Sequence, residues 1–415
     1  MKYMLGQGRL REILVARGGV GLCGLLVLIG VAGCPGVVPP TDSGVLPPNS
    51  SGEIVDGNRD TSVTSPLGKT SGEPNGAFDD PVVAVFDSTG TARLQGTVET
   101  VDDLDVYRLG ALSPGDRIIV DAYANGSPLD VTIALFDDLG RLVYNNDDRE
   151  AQSSCGLVAP PTTACDAYID FVVRHAGNSY YLAVSHSPFA GSRQFVGSYR
   201  VDIVVNSGFD VPQPVAQTLL LDFDGAVVNS PMLGQMTLKV FNAADISPVY
   251  EGTTQTVKDR IRDVFDQNYE RFNVIILTTD DPPPPPGTVY STIFFGGFDR
   301  DAFGLAEDVD LYDIDRCDDA LIFTKSFTPS VFTGVPTATE LGTAIGNIGT
   351  HEAGHLLGLN HTDDDLDLMD DQSPADAFLL DQEFMEAPLS TDIMPIGTQD
   401  GVLLLDESVG PREPM

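Results

Sequence analysis

Basic residues are scarce in this chain: 23 lysines and arginines stand against 61 aspartates and glutamates, a formal net charge of −38 over 415 residues. A surface so acidic repels phosphate backbones and anionic headgroups, so nucleic acid is excluded as the default partner. Histidine and cysteine are rarer still, with five copies of each. No apolar run is long and uniform enough to stay in a bilayer as a permanent helix. No unit of about 20 to 50 residues recurs, which removes solenoids and propellers. Aromatic residues, by contrast, are not depleted, and 42% of the chain is hydrophobic, so real cores can form and the chain is not a disordered one. The length suits two or three domains, and 42 Gly with 29 Pro supply many turns between them.

The first segment decides the compartment. Lys2, Arg9, Arg11 and Arg17 precede an apolar, glycine-rich run from Val20 to Ala32, the pattern of a signal peptide over residues 1–33. The run ends Val31-Ala32-Gly33-Cys34, which resembles the bacterial lipoprotein signal. That resemblance implies lipidation of Cys34 as the mature N-terminus and a membrane partner through that anchor. Pro35 is not the Asp that resembles an inner-membrane retention signal, so the outer membrane or cell surface is expected. Removing residues 1–33 leaves 19 basic and 60 acidic residues, a still more acidic balance of −41. Residues 34–74 are Pro, Gly, Ser, Thr and Asp with single aliphatics, too polar to bury a core, and read as a flexible linker.

From residue 75 to 206 the hydrophobic period is two. Short β-branched or aromatic runs at 117–124, 130–136, 167–174, 179–185 and 198–205 are separated by turns such as Ser113-Pro114-Gly115-Asp116 and Asn125-Gly126. Strands at this spacing predict an all-β sandwich. Asp102-Asp103-Leu104-Asp105-Val106-Tyr107, Leu112-Ser113-Pro114-Gly115-Asp116, Leu135-Phe136-Asp137 and Tyr180-Tyr181-Leu182-Ala183-Val184 together resemble the bacterial pre-peptidase C-terminal domain, although here the segment precedes the chemistry-bearing region. Cys155 and Cys165 share one loop and are expected to form a small-loop disulfide in an exported chain. At Asn145, Asn146, Asp147 and Asp148 a calcium ion (Ca2+) and a solvated turn are both open. His175 and His186 lie on strand-like segments and receive no role.

After a linker at residues 207–216 the pattern becomes mixed. Residues 218–223 read as a strand, 256–272 as an amphipathic helix with Val257, Ile261, Val264 and Phe265 on one side, and 273–278 as the next strand. Five prolines at 282–286 form a stiff connection, strand candidates follow at 291–295 and 320–324, and a helix is predicted over 339–357. That helix carries His351-Glu352-Ala353-Gly354-His355-Leu356-Leu357-Gly358-Leu359-Asn360-His361. Positions i and i+4 share a face, so His351 and His355 converge on one point. His361 reaches that point only if the helix stops, and Gly358 supplies the left-handed residue that stops it. Three imidazoles leave a fourth position open, the arrangement of a catalytic rather than a structural Zn2+. Glu352 is placed to take a proton from water as general base and to return it to a leaving amine.

His351 to His361 resembles the metzincin clan of zinc metallopeptidases, in which a downstream Met packs beneath the ligands. Met369 lies eight residues past His361, a spacing similar to that of matrixins, and is preferred to Met394; Asp371 and Ile396 stand where some members carry a tyrosine ligand. The resemblance implies a peptidase domain over residues 217–397, a C-terminal tail at 398–415, and a protein or peptide substrate. Gly304-Leu305-Ala306 resembles the edge strand along which such enzymes align an extended peptide. The carboxylates at Asp308, Asp310, Asp313, Asp315, Asp318 and Asp319 leave calcium and a solvated acidic loop equally open, and Cys317 among them is expected as a free or buried thiol. The expected architecture is therefore multidomain: an all-β sandwich followed by an α+β metzincin-like catalytic domain that acts as a zinc endopeptidase. The rival is a surface-anchored binding or adhesion module with a structural or inactive zinc site, against which Glu352 counts, since a structural site has no use for a base.

Overall fold

A computed structural model describes residues 73–148, 166–188, 190, 194–230 and 234–413, with short strands at Ile54–Asp56, Thr64–Ser65 and Gly68–Lys69. The signal segment, Cys34, Cys155 and Cys165 lie outside the described residues. The described chain is mostly β-sheet, in several sheets, with three α-helices. Within the stretch expected as a linker, Ile54–Asp56 pairs in parallel with Thr91–Val98.

Two sheets occupy the N-terminal region. In the first, Thr91–Val98, Gly197–Asn206, Arg117–Ala124 and Tyr168–Val172 run side by side; in the second, Asp105–Leu112, Gly177–His186, Val131–Phe136 and Leu142–Asn146 do. Alternation drives the first: Ala92, Leu94, Gly96 and Val98 are buried while Arg93, Gln95 and Thr97 between them are half-buried. Leu94, Val120, Val201 and Ile203 meet Tyr107, Ile133, Leu182 and Val184 of the second sheet in one sandwich-like core. The run Val131–Phe136 is buried at every position because both of its faces are covered. Its other face, with Leu104, Val106, Ala134, Phe136 and Leu142, packs under Leu389 and Met394 from far along the chain. Period-two reasoning passes over Thr91–Val98, whose small and polar residues mask it. Gly96 is required there, since a Cβ would stand 2.2 Å from the hydroxyl of Tyr199.

In the C-terminal region Val274–Thr278, Gln217–Asp222, Ser291–Phe295 and Asp319–Ile322 form a parallel sheet, and Gly304–Ala306 closes one edge antiparallel. Helix α1 (Thr254–Asn268) buries Val257, Ile261, Val264 and Phe265, each contributing about 1.5–3 kcal/mol of apolar burial. Helix α2 (Ala338–Leu356) begins with a capping box, Thr337 accepting from the Glu340 amide and Glu340 from the Thr337 amide. Three glycines let the two helices approach. A Cβ at Gly342, Gly346 or Gly349 would lie 2.7–2.8 Å from Arg260, Val264 or Phe265. Residues 398–415, expected as a tail, instead carry strand Thr398–Asp400 and helix α3 (Gly401–Ser408). Asp400 caps α3 through the Leu403 amide at 3.0 Å, and Leu404, Leu405 and Val409 join the main core.

Cys317 is disulfide-bonded, not a free or buried thiol. Its partner comes from Cys23, Cys34, Cys155 and Cys165, all outside the described residues, so a Cys155–Cys165 pair is no longer the one pairing open. Among the described residues no helix is long and apolar enough to cross a membrane.

Candidate metal centre

The last turns of α2 bring His351 and His355 to one face, and the helix ends where Gly358 forces it to. The Leu359 amide donates to the Gly354 carbonyl and the Gly358 amide to that of His355, both at 2.9 Å, the paired bonds of a Schellman stop. Gly358 has φ +99°, and a Cβ there would lie 2.8 Å from the Tyr312 nitrogen and 2.9 Å from the Asp310 carbonyl oxygen. Both the backbone conformation and the close approach demand glycine. The chain then turns His361 back. The three Nε2 atoms stand 3.1, 3.1 and 3.2 Å apart, and each ring is about 2% exposed. Nitrogen ligands of a tetrahedral zinc at about 2.0–2.1 Å would be separated by about 3.3 Å, close to these distances.

The opposite ring nitrogens fix the tautomers. His351 Nδ1 lies 2.8 Å from the Leu368 carbonyl and His355 Nδ1 2.7 Å from that of Leu359. A carbonyl only accepts, so each Nδ1 carries the proton and each Nε2 turns a lone pair inward. His361 Nδ1 faces Asp371 Oδ2 at 3.5 Å. These residues can hold a metal ion, and among the described residues they are the one group of three or more His, Cys, Asp or Glu gathered in this way. The donor set, three imidazoles, two of them with lone pairs turned inward, and no thiolate, fits zinc.

Residues after His361 return beneath the rings. The Thr362 amide donates to the Met369 carbonyl at 3.0 Å, and the Thr362 hydroxyl to Asp367 at 2.7 Å. Burial raises the Asp367 carboxyl above the ordinary range. Met369 is wholly buried, and its sulfur would lie 2.7 Å from a Cβ on Gly354, the residue just before His355. Met394 is buried elsewhere, against Phe136 and Ala134. Glu352 is 2% exposed. A Cβ on Gly304 would come within 2.2 Å of Glu352 Oε1, so the edge strand passes directly over the carboxyl group. Gln399 brackets the backbone before the third ligand, accepting from the Asn360 amide and donating to its carbonyl, both at 2.7 Å.

Gln399, Asp371 and the role of Gly304 escape sequence reasoning because they come from segments distant from the motif. The acidic runs are used differently from the histidines. Asn146 accepts from the Tyr168 amide at 2.9 Å and Asp147 from the Ser187 hydroxyl at 3.0 Å. Burial and neighbouring carboxylates push Asp130 to about 7 and Asp148 to about 8. Burial likewise raises Asp310 and Asp319 to about 7 and Asp313 to about 8.

No family model matches the chain, and no curated protein matches it. Among solved structures it is similar to PliG of Aeromonas hydrophila, a periplasmic inhibitor of g-type lysozyme, at 14% identity over 30% of this chain and 94% of that one, TM-score 0.23. It is also similar to the pre-peptidase C-terminal domain of Bacillus anthracis collagenase, at 16% identity over 27% and 86%, TM-score 0.18. Archaemetzincin of Methanopyrus kandleri matches at 14% identity over 39% and 88%, TM-score 0.22. At such TM-scores these likenesses carry no argument, and function has to be inferred from the residues of the site itself.

Proposed function

We propose that this chain is a zinc-dependent endopeptidase, with a pre-peptidase-like sandwich over residues 75–206 followed by a metzincin-like catalytic domain over residues 217–397. The observation that carries the reading is the convergence of three imidazoles within 3.2 Å of one another, two of them with fixed tautomers, and the Glu352 carboxyl adjacent under the edge strand. His351, His355 and His361 would hold Zn2+, which supplies Lewis acidity and lowers the pKa of water. Glu352 accepts the proton of the attacking water and passes it to the leaving amine. Among the described residues Gly304–Ala306 pairs with Asp319–Ile322 along one edge only, and its other edge offers backbone groups to an extended peptide. Gly304 keeps that strand close enough for a bound peptide to lie over Glu352.

The experiment is cleavage of a mixed peptide library by the zinc-loaded mature chain beside Glu352→Gln. The variant keeps all three imidazoles, so it should retain one zinc and lose about a hundredfold or more in turnover. Equal turnover in both proteins defeats the mechanism. The sequence further supports export and lipidation at Cys34, with the enzyme displayed on the outer membrane or cell surface and acting on envelope or extracellular proteins. Cys34→Ala should move the protein from the detergent phase to the aqueous phase; unchanged partitioning rejects the anchor.

A further inference from the structure

The turn that carries the third ligand is held by a strand of the N-terminal region, directly at Asn360 and through Tyr312 at Gly358. On Leu142–Asn146, the Val143 carbonyl accepts the Tyr312 hydroxyl at 2.7 Å. The Tyr312 backbone is what presses on Gly358. Tyr312 holds φ +71°, a strained value for an aromatic residue. Its ring is fixed between Phe171, with centroids 5.3 Å apart, and the Arg174 guanidinium, 4.1 Å from the centroid. Two residues along the same strand, Asn145 exchanges both amide bonds with Asn360: Nδ2 to Oδ1 at 3.3 Å one way and 3.2 Å the other. Asn360 is buried, its backbone is already bracketed by Gln399, and its next residue is His361.

We propose that this strand is part of the metal centre and that Asn145 is a positioning residue acting through Asn360 on His361. The inference rests on the zinc reading under Proposed function. His351 and His355 are spaced by the helix itself, whereas only the irregular backbone of Leu359 and Asn360 separates His361 from Gly358. A planar amide pair resists both sliding and rotation, so it fixes where the turn delivers His361. The N-terminal region is then no detachable accessory: without Asn145 and Val143 the turn keeps its sequence and loses its outer support.

The test measures zinc affinity by chelator competition, and the absorption of the Co2+-substituted protein, in the full mature chain. Asn145→Ala should weaken zinc about ten- to hundredfold, the usual cost of losing a group that orients a ligand, and alter the cobalt spectrum. His175→Gln is the control. His175 also joins the two regions, with Nδ1 2.9 Å from Glu407, but does not touch the turn, and its zinc affinity should stay within twofold of the parent. Asn145→Asp keeps the shape and one of the two bonds, so it should fall between Asn145→Ala and the parent, and it serves if Asn145→Ala fails to fold. Parental affinity and spectrum in whichever Asn145 variant folds, or an equal loss in His175→Gln, overturns the positioning role while the zinc reading stands. A parent chain that takes up no zinc sinks the zinc reading itself, before any variant is compared.

Discussion

Helix α2 and the turn after it each bring histidines to the same point, by opposite means. The helix spaces His351 and His355 through its own hydrogen-bond ladder and carries its own cap at Thr337. Residues 358–361 have no ladder, and their shape is set by Tyr312, Asn145 and Gln399. Damage to the helix should therefore cost stability first, and damage to the turn should cost metal first.

The largest expected effect is at Gly358. Gly358→Ala places a Cβ 2.8–2.9 Å from the backbone of 310–312 at φ +99°, so it should weaken zinc by about a hundredfold or more and destabilise by about 1–3 kcal/mol. Thr337→Ala at the far end of α2 should cost about 1 kcal/mol with zinc affinity unchanged. Calorimetry and chelator competition on both proteins decide, and equal zinc losses would erase the contrast between helix and turn. Next is Gly304→Ala, which must displace the Glu352 carboxyl. Turnover should drop about tenfold or more while zinc binding stays parental, because the imidazoles are untouched. A loss of zinc instead would show that the edge strand supports the ligands rather than the base.

The smallest effect concerns the seam between the regions. His175 is raised to about 9, first by the Asp137 carboxylate 3.4 Å from its Nε2 and then by Glu407. Burial alone would raise Asp137, but His175 and Arg141 hold it down at about 2. A raised histidine stabilises fully below its ordinary value near 6.5, and that stabilisation is lost as pH rises through about 9. The Asp137 contribution is present above 3.8 and lost as pH falls through about 2. Metal-free protein should lose about 1–2 kcal/mol through His175 between pH 6.5 and 9.5, after discounting its partial exposure. Buried Asp130, Asp148 and Asp313 shift the opposite way in charge: each is easier to keep neutral in the fold, so the stability they lend below their ordinary range is lost as pH rises through about 7 to 8. His175→Gln should flatten this alkaline decline; an unchanged slope assigns it wholly to the carboxylates.

Legibility in the letters divides along the same line between helix and turn. Periodicity locates α1 to within two residues at its start, because it buries one face; α2 is located to within one residue although it is buried on every side from Leu341 to Leu356. The run 131–136 is found as a strand, yet its unbroken burial is not, since the cover arrives from 389 and 394. His351, His355 and Glu352 are readable because the helix enforces their spacing, and His361 because Gly358 marks where that helix stops. Asn145 and Gln399 are not, because an amide is recognised as a partner only when the fold brings it to one. In sequence alone Asn145 suggests a calcium ligand or a turn. The bonded state of Cys317 is hidden for a similar reason, because local sequence carries no trace of a distant thiol.

The Gln399 bracket also sets a clock. Gln399 lies 39 positions beyond the backbone it clamps, so at about 5–20 residues per second of synthesis roughly 2–8 s separate the emergence of the histidines from that of this clamp. Leu389 and Met394, which cover the outer face of the second N-terminal sheet, also emerge in that interval. The newborn chain therefore presents its three histidines before the segment that braces them. Whatever the three histidines hold, they can hold it firmly only after this later segment has folded back over them.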